Sequence, residues 1–268
     1  MNLVKRTLTA AVLLGVVFAI IQYAPDWVFF LFGLAFVVAA LLEFYNLVGK
    51  KDLRPRKALG TIISVLVLLP FYFRTIPLDG ALFAGIFVAG VYYVVAVNSP
   101  EKLAFFTASF STTLIGVFYV AFPLGFLFRI RLEQGPFYLY FLAAIVFLGD
   151  TGAFFIGKPF GRHKMTPVAS PNKSWEGSAG GFLFAVGGAL LARSLLLPSV
   201  PLLTAVLTAL VVDAAAQVSD PLESLFKRAV GVKDSSNSLP GHGGFLDRID
   251  SLILAGPLFY FIVKLLWK

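Results

Sequence analysis

Residues 217–250 read QVSDPLESLFKRAVGVKDSSNSLPGHGGFLDRID; this charged segment overlaps the end of the apolar run 200–219 and precedes the apolar run 251–267. Ionisable groups beside hydrocarbon-like sequence are costly, and they are retained mainly where they have a function. The segment therefore predicts a membrane protein whose chemistry takes place where the bilayer meets water.

The same apolar character extends over the whole chain. Apolar residues make up 59% and charged residues 13% of the sequence, whereas a soluble domain is nearer half and a quarter. Repeated apolar runs of about 20 residues predict an all-α, polytopic integral membrane protein with about nine transmembrane helices and two polar cytoplasmic loops. The predicted spans are 7–22, 27–48, 58–73, 79–98, 103–128, 136–156, 178–197, 200–219 and 251–267. We treat them as one membrane domain, with N-terminal helices over 1–135 and C-terminal helices carrying the polar loops over 136–268.

The distribution of basic residues predicts the orientation. Most of the 22 Lys and Arg residues fall on the side of the N-terminus, so the positive-inside rule places that end and the loops 157–177 and 220–250 in the cytoplasm, with the C-terminus opposite. No convincing cleavage site follows the first apolar run, which is predicted to be an uncleaved span. The net charge of +8 is more typical of basic loops beside anionic lipid than of nucleic-acid binding. The absence of cysteine excludes disulfides and thiolate metal sites.

The loop 157–177, GKPFGRHKMTPVASPNKSWEG, has the composition of a phosphate-binding surface. Its glycines allow tight turns and its hydroxyl and amide groups can donate to phosphate oxygens. It lacks the Walker A spacing, and basic cytoplasmic loops are common, so an ordinary basic loop stays an equal alternative. The cations are Lys158, Arg162, Lys164 and Lys173, and the polar donors include Ser170, Asn172 and Ser174.

Acids inside the apolar runs are candidates for function. Asp213, Gln217, Asp220 and Ser224 form one stripe at helical spacing. Residues 219–223 also suggest a helix restart with Asp220 as N-cap and Pro221 as first residue, so the Asp220 carboxylate could be a cap or a ligand. Asp150, bracketed by small residues, suggests an acid facing a wet cavity, with a packed helix interface as the alternative. Glu43 is more simply explained by an interhelical hydrogen bond, or by a position near the membrane interface, than by a catalytic role.

Residues 233–250 combine charge with a flexible backbone. The glycines around His242 allow the chain to approach a ligand closely, and His242 itself is more typical of a hydrogen-bonded loop residue than of a metal ligand. Asp247 and Asp250 are three residues apart and could share a helical face. Hard carboxylates with two histidines and no cysteine favour Mg²⁺ over zinc.

These motifs resemble the signature of the phosphatidate cytidylyltransferases, the CDP-diacylglycerol synthases. The C-terminal part of the resemblance is Ser224-x-x-Lys227-Arg228, Lys233-Asp234, Pro240-Gly241-His242-Gly243-Gly244 and Asp247-Arg248-x-Asp250. The earlier part is Asp150-x-x-Ala153, Gly157-Lys158, Gly161-Arg162, Ser170-Pro171-x-Lys173 and Glu176-Gly177. Two positions depart from the family pattern: Ser219-Asp220-Pro221 stands for Gly-Asp-Leu, and Ser174 stands for a commoner Thr. The first five spans match only in general character.

The resemblance implies a metal-dependent nucleotidyltransferase of phospholipid synthesis, in which CTP and phosphatidate give CDP-diacylglycerol and pyrophosphate at the cell membrane. It implies Mg²⁺, with a second cation and a homodimer left open. Asp220 and Asp247 are then expected to hold the metal, supported by Asp150, Glu223 and Asp250, and they share the catalytic work with Lys227 and Arg228. The residues expected to bind substrate are Lys158, Arg162, Lys164, Ser170, Lys173, Ser224, Lys233, His242, Gly243, Gly244 and Arg248.

Two other functions fit parts of the sequence. A related cytidylyltransferase or kinase could act on another membrane lipid, because the loops do not specify the lipid tail. An ion-coupled transporter could use Glu43, Asp150 and Asp213 as an intramembrane path, but transporters often show matched interrupted spans, and here the polar groups concentrate in two loops. Pyrophosphate release would separate the enzyme from the transporter.

Overall fold

The computed structural model describes residues 14–236, 238 and 243–267, which form two compact units. Of these residues, 14–128, 234–236, 238 and 243–248 belong to the first unit, and 129–233 and 249–267 belong to the second. His242, predicted to lie in the nucleotide pocket, falls outside the described residues.

The first unit is built from helices connected by short turns. They are α1 (Leu14–Tyr23), α2 (Asp26–Val48), α3 (Lys57–Tyr72), α4 (Leu78–Ala96), α5 (Pro100–Ala104), α6 (Phe106–Ile115) and α7 (Phe122–Arg129, whose last residue belongs to the second unit). A 3₁₀ turn, Gly49–Lys51, extends α2, and a π-helical segment, Gly116–Ala121, joins α6 to α7 without a break. A further 3₁₀ turn, Leu246–Arg248, belongs to this unit although it comes late in the sequence.

Tyr45 of α2 is at the centre of the packing in the first unit. Its ring is fully buried, and its hydroxyl donates to the backbone carbonyl oxygen of Thr113 at 2.7 Å. A Cβ atom at Gly60 would lie 2.0 Å from the Tyr45 hydroxyl oxygen, and one at Gly116 would lie 2.3 Å from its Cε1 atom. Glycine at these two positions therefore lets α3 and the π-helical segment close around the ring.

The second unit contains helices and a small hairpin. After the π-helical turn Ile130–Gln134 come α8 (Pro136–Phe160), β1 (Lys164–Thr166), β2 (Ser170–Ser174), α9 (Trp175–Leu196), α10 (Leu202–Ala229) and α11 (Asp250–Leu266). The strands are antiparallel, with Lys164 opposite Ser174 and Thr166 opposite Ser170. The predicted polar loop 157–177 is thus largely a hairpin, with its ends taken into α8 and α9.

Glycines allow α8 and α9 to pack backbone against backbone. A Cβ atom at Gly152 would lie 2.6 Å from the carbonyl oxygen of Gly180, and one at Gly157 would lie 3.2 Å from the Cα atom of Gly177. Because a methyl group at Gly152 would clash and one at Gly157 would be tight, the small residues around Asp150 do form a close helix interface, as one of the two interpretations of that acid required.

The predicted helix restart at Asp220 is wrong. α10 runs without interruption from Leu202 to Ala229, and Pro221 lies inside it. Asp220 is therefore not an N-cap; its carboxylate binds Lys173 instead. Proline removes one intrahelical hydrogen bond, but neighbouring elements can compensate for this loss in membrane helices, so a proline is a weak boundary signal here.

The all-α, polytopic fold class is confirmed. Among the described residues, six helices are long and apolar enough to cross a membrane: Asp26–Lys51, Leu78–Ala96, Phe106–Gln134, Pro136–Phe160, Trp175–Leu196 and Leu202–Ala229. α1, α3 and α11 are shorter. The count of nine spans therefore stays a prediction.

Candidate active site

The second unit brings together an acid–lysine cluster, which we define as Asp150, Lys173, Asp220, Glu223, Lys227 and Asp250. These side chains come from α8, β2, α10 and α11. Asp220 interacts electrostatically with both Asp150 and Asp250, and Asp250 also interacts with Glu223 and Lys227. Four of the five acids predicted to support a metal thus meet in one unit, although they lie up to a hundred residues apart in sequence.

Among the cluster residues of α10, Asp220 has the most exposed side chain. Its Oδ2 atom lies 2.7 Å from Nζ of Lys173, and both side chains keep about a quarter of their surface exposed, 29% and 25% respectively. The Ser224 hydroxyl donates to Oδ1 from the next helical turn at 3.4 Å. The pair therefore combines a carboxylate and an ammonium group that both reach solvent.

Glu223 and Lys227 form an ion pair one turn apart on α10. The side chain of Glu223 is fully buried and that of Lys227 is 9% exposed. A buried charge is tolerated when an opposite charge accompanies it, so this pair places a cation in the cluster without leaving its carboxylate uncompensated.

Ser251, the second residue of α11, donates hydrogen bonds to both Asp150 and Asp250. The hydroxyl of Ser251 donates to Oδ2 of Asp150 at 3.3 Å, and the Ser251 amide donates to Oδ1 of Asp250 at 2.8 Å. The hydroxyl of Ser219 on α10 donates to the backbone carbonyl oxygen of Asp250. Ser251, which the sequence did not single out, thus connects the predicted acids of α8 and α11.

A buried polar chain lies next to the cluster. Nε2 of Gln217 donates to Oδ2 of Asp213 at 2.7 Å and also lies 3.2 Å from the carbonyl oxygen of Ser178, whose hydroxyl donates back to Gln217. Asp213 is 1% exposed, and a Cβ atom at Gly149 would lie 2.1 Å from its Oδ1 atom. In the predicted polar stripe of α10, Asp213 and Gln217 therefore pack against α8 and α9. Asp220 belongs to the cluster, and Ser224 donates to it.

The turn that precedes the hairpin is hydrogen-bonded to the first helical turn of α9. Oε2 of Glu176 accepts hydrogen bonds from the amides of Arg162 at 3.1 Å and His163 at 3.2 Å, and Oε1 lies 2.6 Å from Nδ1 of His163. Glu176 thereby holds the turn that precedes β1. In the sequence, Glu176 stood out only as part of the family resemblance, with no role assigned to it. Among the residues predicted to bind substrate, the structure places Lys158, Arg162, Lys164 and Lys233 at exposed positions and Ser170 at a half-buried one.

Arg228, the remaining predicted catalytic residue of α10, is exposed near the end of the helix. Its Nε atom lies 3.4 Å from the carbonyl oxygen of Ala169, and its guanidinium also donates to the carbonyl oxygen of Val232 at 3.2 Å. It therefore connects α10 to the residue that immediately precedes β2.

The first unit contains a second polar group, which we call the Glu43–Asp247 cluster. Oε1 of Glu43 accepts from the Ser236 hydroxyl at 2.6 Å, and Oε2 accepts from the Leu246 amide at 3.0 Å. Oδ2 of Asp247 accepts from the amides of Ser235 at 3.0 Å and Gly244 at 2.8 Å. Gly243, with φ of +78°, occupies the left-handed region that favours glycine.

The sequence predicts two pairings of Asp247 with other acids, and the structure decides only one of these predictions. Asp247 lies in the 3₁₀ turn and Asp250 begins α11, so the expectation that they share one helical face is wrong: Ile249 breaks the helical course between them. Joint metal binding by Asp220 and Asp247 stays a prediction, because the two residues belong to different units. Arg248 is exposed at the end of the 3₁₀ turn.

The carboxylates have the chemistry of a magnesium site but not its arrangement. Among the described residues, no group of three or more His, Asp or Glu side chains is placed to hold a metal ion as it stands. Asp220 is already paired with Lys173, and Glu223 is already paired with Lys227. Hard oxygen ligands of this kind suit Mg²⁺, so the donor set fits this cation once the lysines take another anionic partner.

Comparison with known proteins assigns the chain to a family. The model of the cytidylyltransferase family matches residues 4–266. The chain belongs to the cytidylyltransferase family. The matched residues include both the acid–lysine cluster and the Glu43–Asp247 cluster, so both lie in the part of the chain that resembles the family.

Individual cytidylyltransferases are similar over nearly their full lengths. A phosphatidate cytidylyltransferase of Staphylococcus epidermidis is 34% identical over 257 residues, which cover 94% of this chain and 96% of the relative. Those of Bacillus subtilis and Haemophilus influenzae are each 31% identical and cover 97% of this chain, with 98% and 99% of the relative. The resemblance inferred from the C-terminal motifs is thus confirmed, and it extends through the N-terminal helices.

Proposed function

We propose that this chain transfers the cytidylyl group of CTP to phosphatidate, giving CDP-diacylglycerol and pyrophosphate in phospholipid synthesis. The observation that carries the proposal is the acid–lysine cluster at the polar ends of apolar helices, in a chain whose full-length relatives are named phosphatidate cytidylyltransferases. One substrate is a lipid and the other is soluble, and a charged cluster on membrane helices suits that combination.

The reaction joins two anions. A phosphate oxygen of phosphatidate attacks the α-phosphorus of CTP, the bond from that phosphorus to the bridging oxygen of the β-phosphate breaks, and pyrophosphate leaves with the bonding electrons. Because the phosphate of phosphatidate is already ionised near neutral pH, the attack needs no strong general base. The main requirement is therefore positioning and charge compensation.

The lysines of the cluster are suited to this compensation. Lys173 is partly exposed beside Asp220, so its ammonium can turn from the carboxylate to a phosphate group that binds nearby. Lys227 is held by Glu223 and supplies a buried positive charge. Arg228, Lys158, Arg162 and Lys164 add further cations to phosphate binding, as the sequence predicts.

Mg²⁺ belongs to this proposal. Asp220, with Asp150, Glu223 and Asp250, would hold the ion within the second unit. When bound there, it would offset the negative charge of the reactants and of the leaving pyrophosphate. With Asp220 engaged in this way, the ammonium group of Lys173, which now pairs with Asp220, would be available for a phosphate group.

The same proposal covers the location of the protein. We place it in the bacterial cell membrane with the N-terminus and polar segments cytoplasmic, which gives CTP direct access. The basic loop composition supports this orientation, and the six long apolar helices support the membrane.

The decisive experiment measures pyrophosphate from purified protein supplied with phosphatidate vesicles, Mg²⁺ and each of the four ribonucleoside triphosphates in turn. We expect turnover with CTP. Asp220→Asn should lower kcat/KM by roughly 100-fold or more, the size typical of removing an electrostatic group from a reacting centre.

Asp79→Asn is the matched control, because Asp79 is an exposed acid at the start of α4 and should leave turnover unchanged. Undiminished activity of the Asp220→Asn enzyme contradicts the role of the cluster. Product formed from a different lipid phosphate or alcohol, and not from phosphatidate, would favour the related transferase or kinase instead.

A further inference from the structure

Glu43 of α2 is a buried acid in an apolar helix with an unusual set of partners. Its side chain is 5% exposed. Burial of a carboxylate is costly unless hydrogen-bond donors compensate for the lost water. Such a residue therefore marks a place where the structure requires an acceptor.

Three described donors to Glu43 come from the segment 234–248. They are the hydroxyl of Ser236 at 2.6 Å, the hydroxyl of Ser235 at 3.2 Å and the amide of Leu246 at 3.0 Å. These residues follow Glu43 by about 190 to 200 positions in sequence. One carboxylate thus binds both the beginning and the end of this segment.

Ser235 connects Glu43 directly to Asp247. Its hydroxyl oxygen lies 3.2 Å from Oε2 of Glu43 and 2.8 Å from Oδ2 of Asp247, while its amide donates to Asp247. The single hydroxyl proton can be donated to one acid at a time. A change at Glu43 therefore alters the hydrogen bonding of Asp247 through one intervening atom.

Gly244 shows how closely this arrangement is packed. A Cβ atom there would lie 2.2 Å from the hydroxyl oxygen of Ser235 and 2.3 Å from Oε2 of Glu43. The aromatic ring of Phe245 also packs edge-on against that of Phe36 on α2, with centroids 4.9 Å apart. Ser235, Ser236 and residues 244–246 are therefore held against α2 by shape as well as by hydrogen bonds.

We propose that Glu43 is a positioning residue for nucleotide binding. It holds Ser235, Ser236 and Leu246 and so fixes the arrangement of Gly244, Asp247 and Arg248, which the sequence predicts to bind substrate or metal. This inference rests on the proposed function. Glu43 touches no reacting atom; it acts through Ser235 and the 3₁₀ turn. This positioning role differs from the intramembrane ion path that Glu43 would form part of in a transporter.

The test compares Glu43→Gln with Glu101→Gln in the full-length protein. Glu101 is exposed at the start of α5 in the same unit, so the control repeats the chemical change without the buried contacts. Glutamine keeps the shape of Glu43 but turns one acceptor into a donor. We expect Glu43→Gln to raise the KM for CTP roughly tenfold, the effect of weakening a hydrogen bond to a charged group, while the KM for phosphatidate stays within about twofold.

Hydrogen–deuterium exchange supplies a readout that does not depend on activity. Peptides covering Ser235 and Leu246 should exchange faster in Glu43→Gln than in the wild type or in Glu101→Gln, because both amides lie in the segment that Glu43 holds. Wild-type exchange there, or faster exchange with an unchanged KM for CTP, overturns the proposal.

Ser236→Ala keeps the test valid if Glu43→Gln does not fold. This change removes one donor to Glu43 and should shift the KM for CTP in the same direction by a smaller factor; no shift would count against positioning. A wild-type protein that makes no CDP-diacylglycerol refutes the proposed function, whereas the exchange comparison still decides whether Glu43 holds the segment.

Discussion

At the scale of single residues, the clearest feature is that each charge buried in the acid–lysine cluster has a partner. The sequence identified Asp150, Asp220, Glu223, Lys227 and Asp250 as candidates, because charges are scarce in apolar sequence. It did not identify their partners: the Lys173–Asp220 pair and the contact between Ser251 and Asp150 join residues 47 and 101 positions apart. Such pairs depend on how the helices pack, so local sequence patterns do not contain them.

The Glu223–Lys227 pair leads to a prediction about stability. Lys227→Met leaves the fully buried Glu223 without its cation, which should lower the free energy of unfolding by about 3–5 kcal/mol. Adding Glu223→Gln removes the uncompensated charge and should recover most of this loss. Reversible unfolding in detergent micelles measures both variants, and two losses that simply add would show that the residues do not interact.

At the scale of helices and strands, the glycine-lined interface of α8 and α9 places Asp150 next to the elements that carry the other acids. The sequence correctly indicated that small residues there permit close packing. It did not predict the hairpin of β1 and β2, since a polar stretch rich in Gly, Pro and Ser is as typical of an irregular loop. It also placed a helix boundary at Pro221, where α10 continues.

Gly152→Ala tests this interface. Its Cβ atom would lie 2.5 Å from that of Phe184 and 2.6 Å from the carbonyl oxygen of Gly180, so the helices must separate, at a cost of about 1–3 kcal/mol. The matched control is Gly187→Ala on α9, where nothing lies within 4 Å and alanine should be neutral or favourable by up to about 1 kcal/mol. Thermal unfolding midpoints in detergent give the comparison, and equal midpoints would contradict the close backbone contact.

At the scale of the whole molecule, the main prediction is the membrane topology. α3 has 16 residues, about 24 Å at the usual rise per residue, which is shorter than the hydrocarbon core of about 30 Å. The nine-span arrangement nevertheless requires α3 to cross, with Lys51 cytoplasmic and Arg74 on the other side.

The chain contains no cysteine, so single-cysteine variants can test this topology directly. Lys51→Cys and Arg74→Cys replace exposed residues on the two sides of α3. A membrane-impermeant maleimide added to intact, outer-membrane-permeabilised cells or to right-side-out vesicles should label only Arg74→Cys. The cysteine-free parent is the control, and labelling of both variants to the same extent would show that α3 does not cross.

The sequence alone determined the class of this protein, since composition and the length of the apolar runs report directly on the solvent that surrounds each helix. The spacing of charged motifs was sufficient to indicate the family. Only the tertiary structure decided which charges neutralise each other, that Glu43 binds a segment some two hundred residues away, and that Asp220 pairs with Lys173 rather than capping a helix. The reason is physical: the preference of a segment for lipid is a sum over its own residues, whereas a hydrogen bond or an ion pair exists only once packing has brought both partners together.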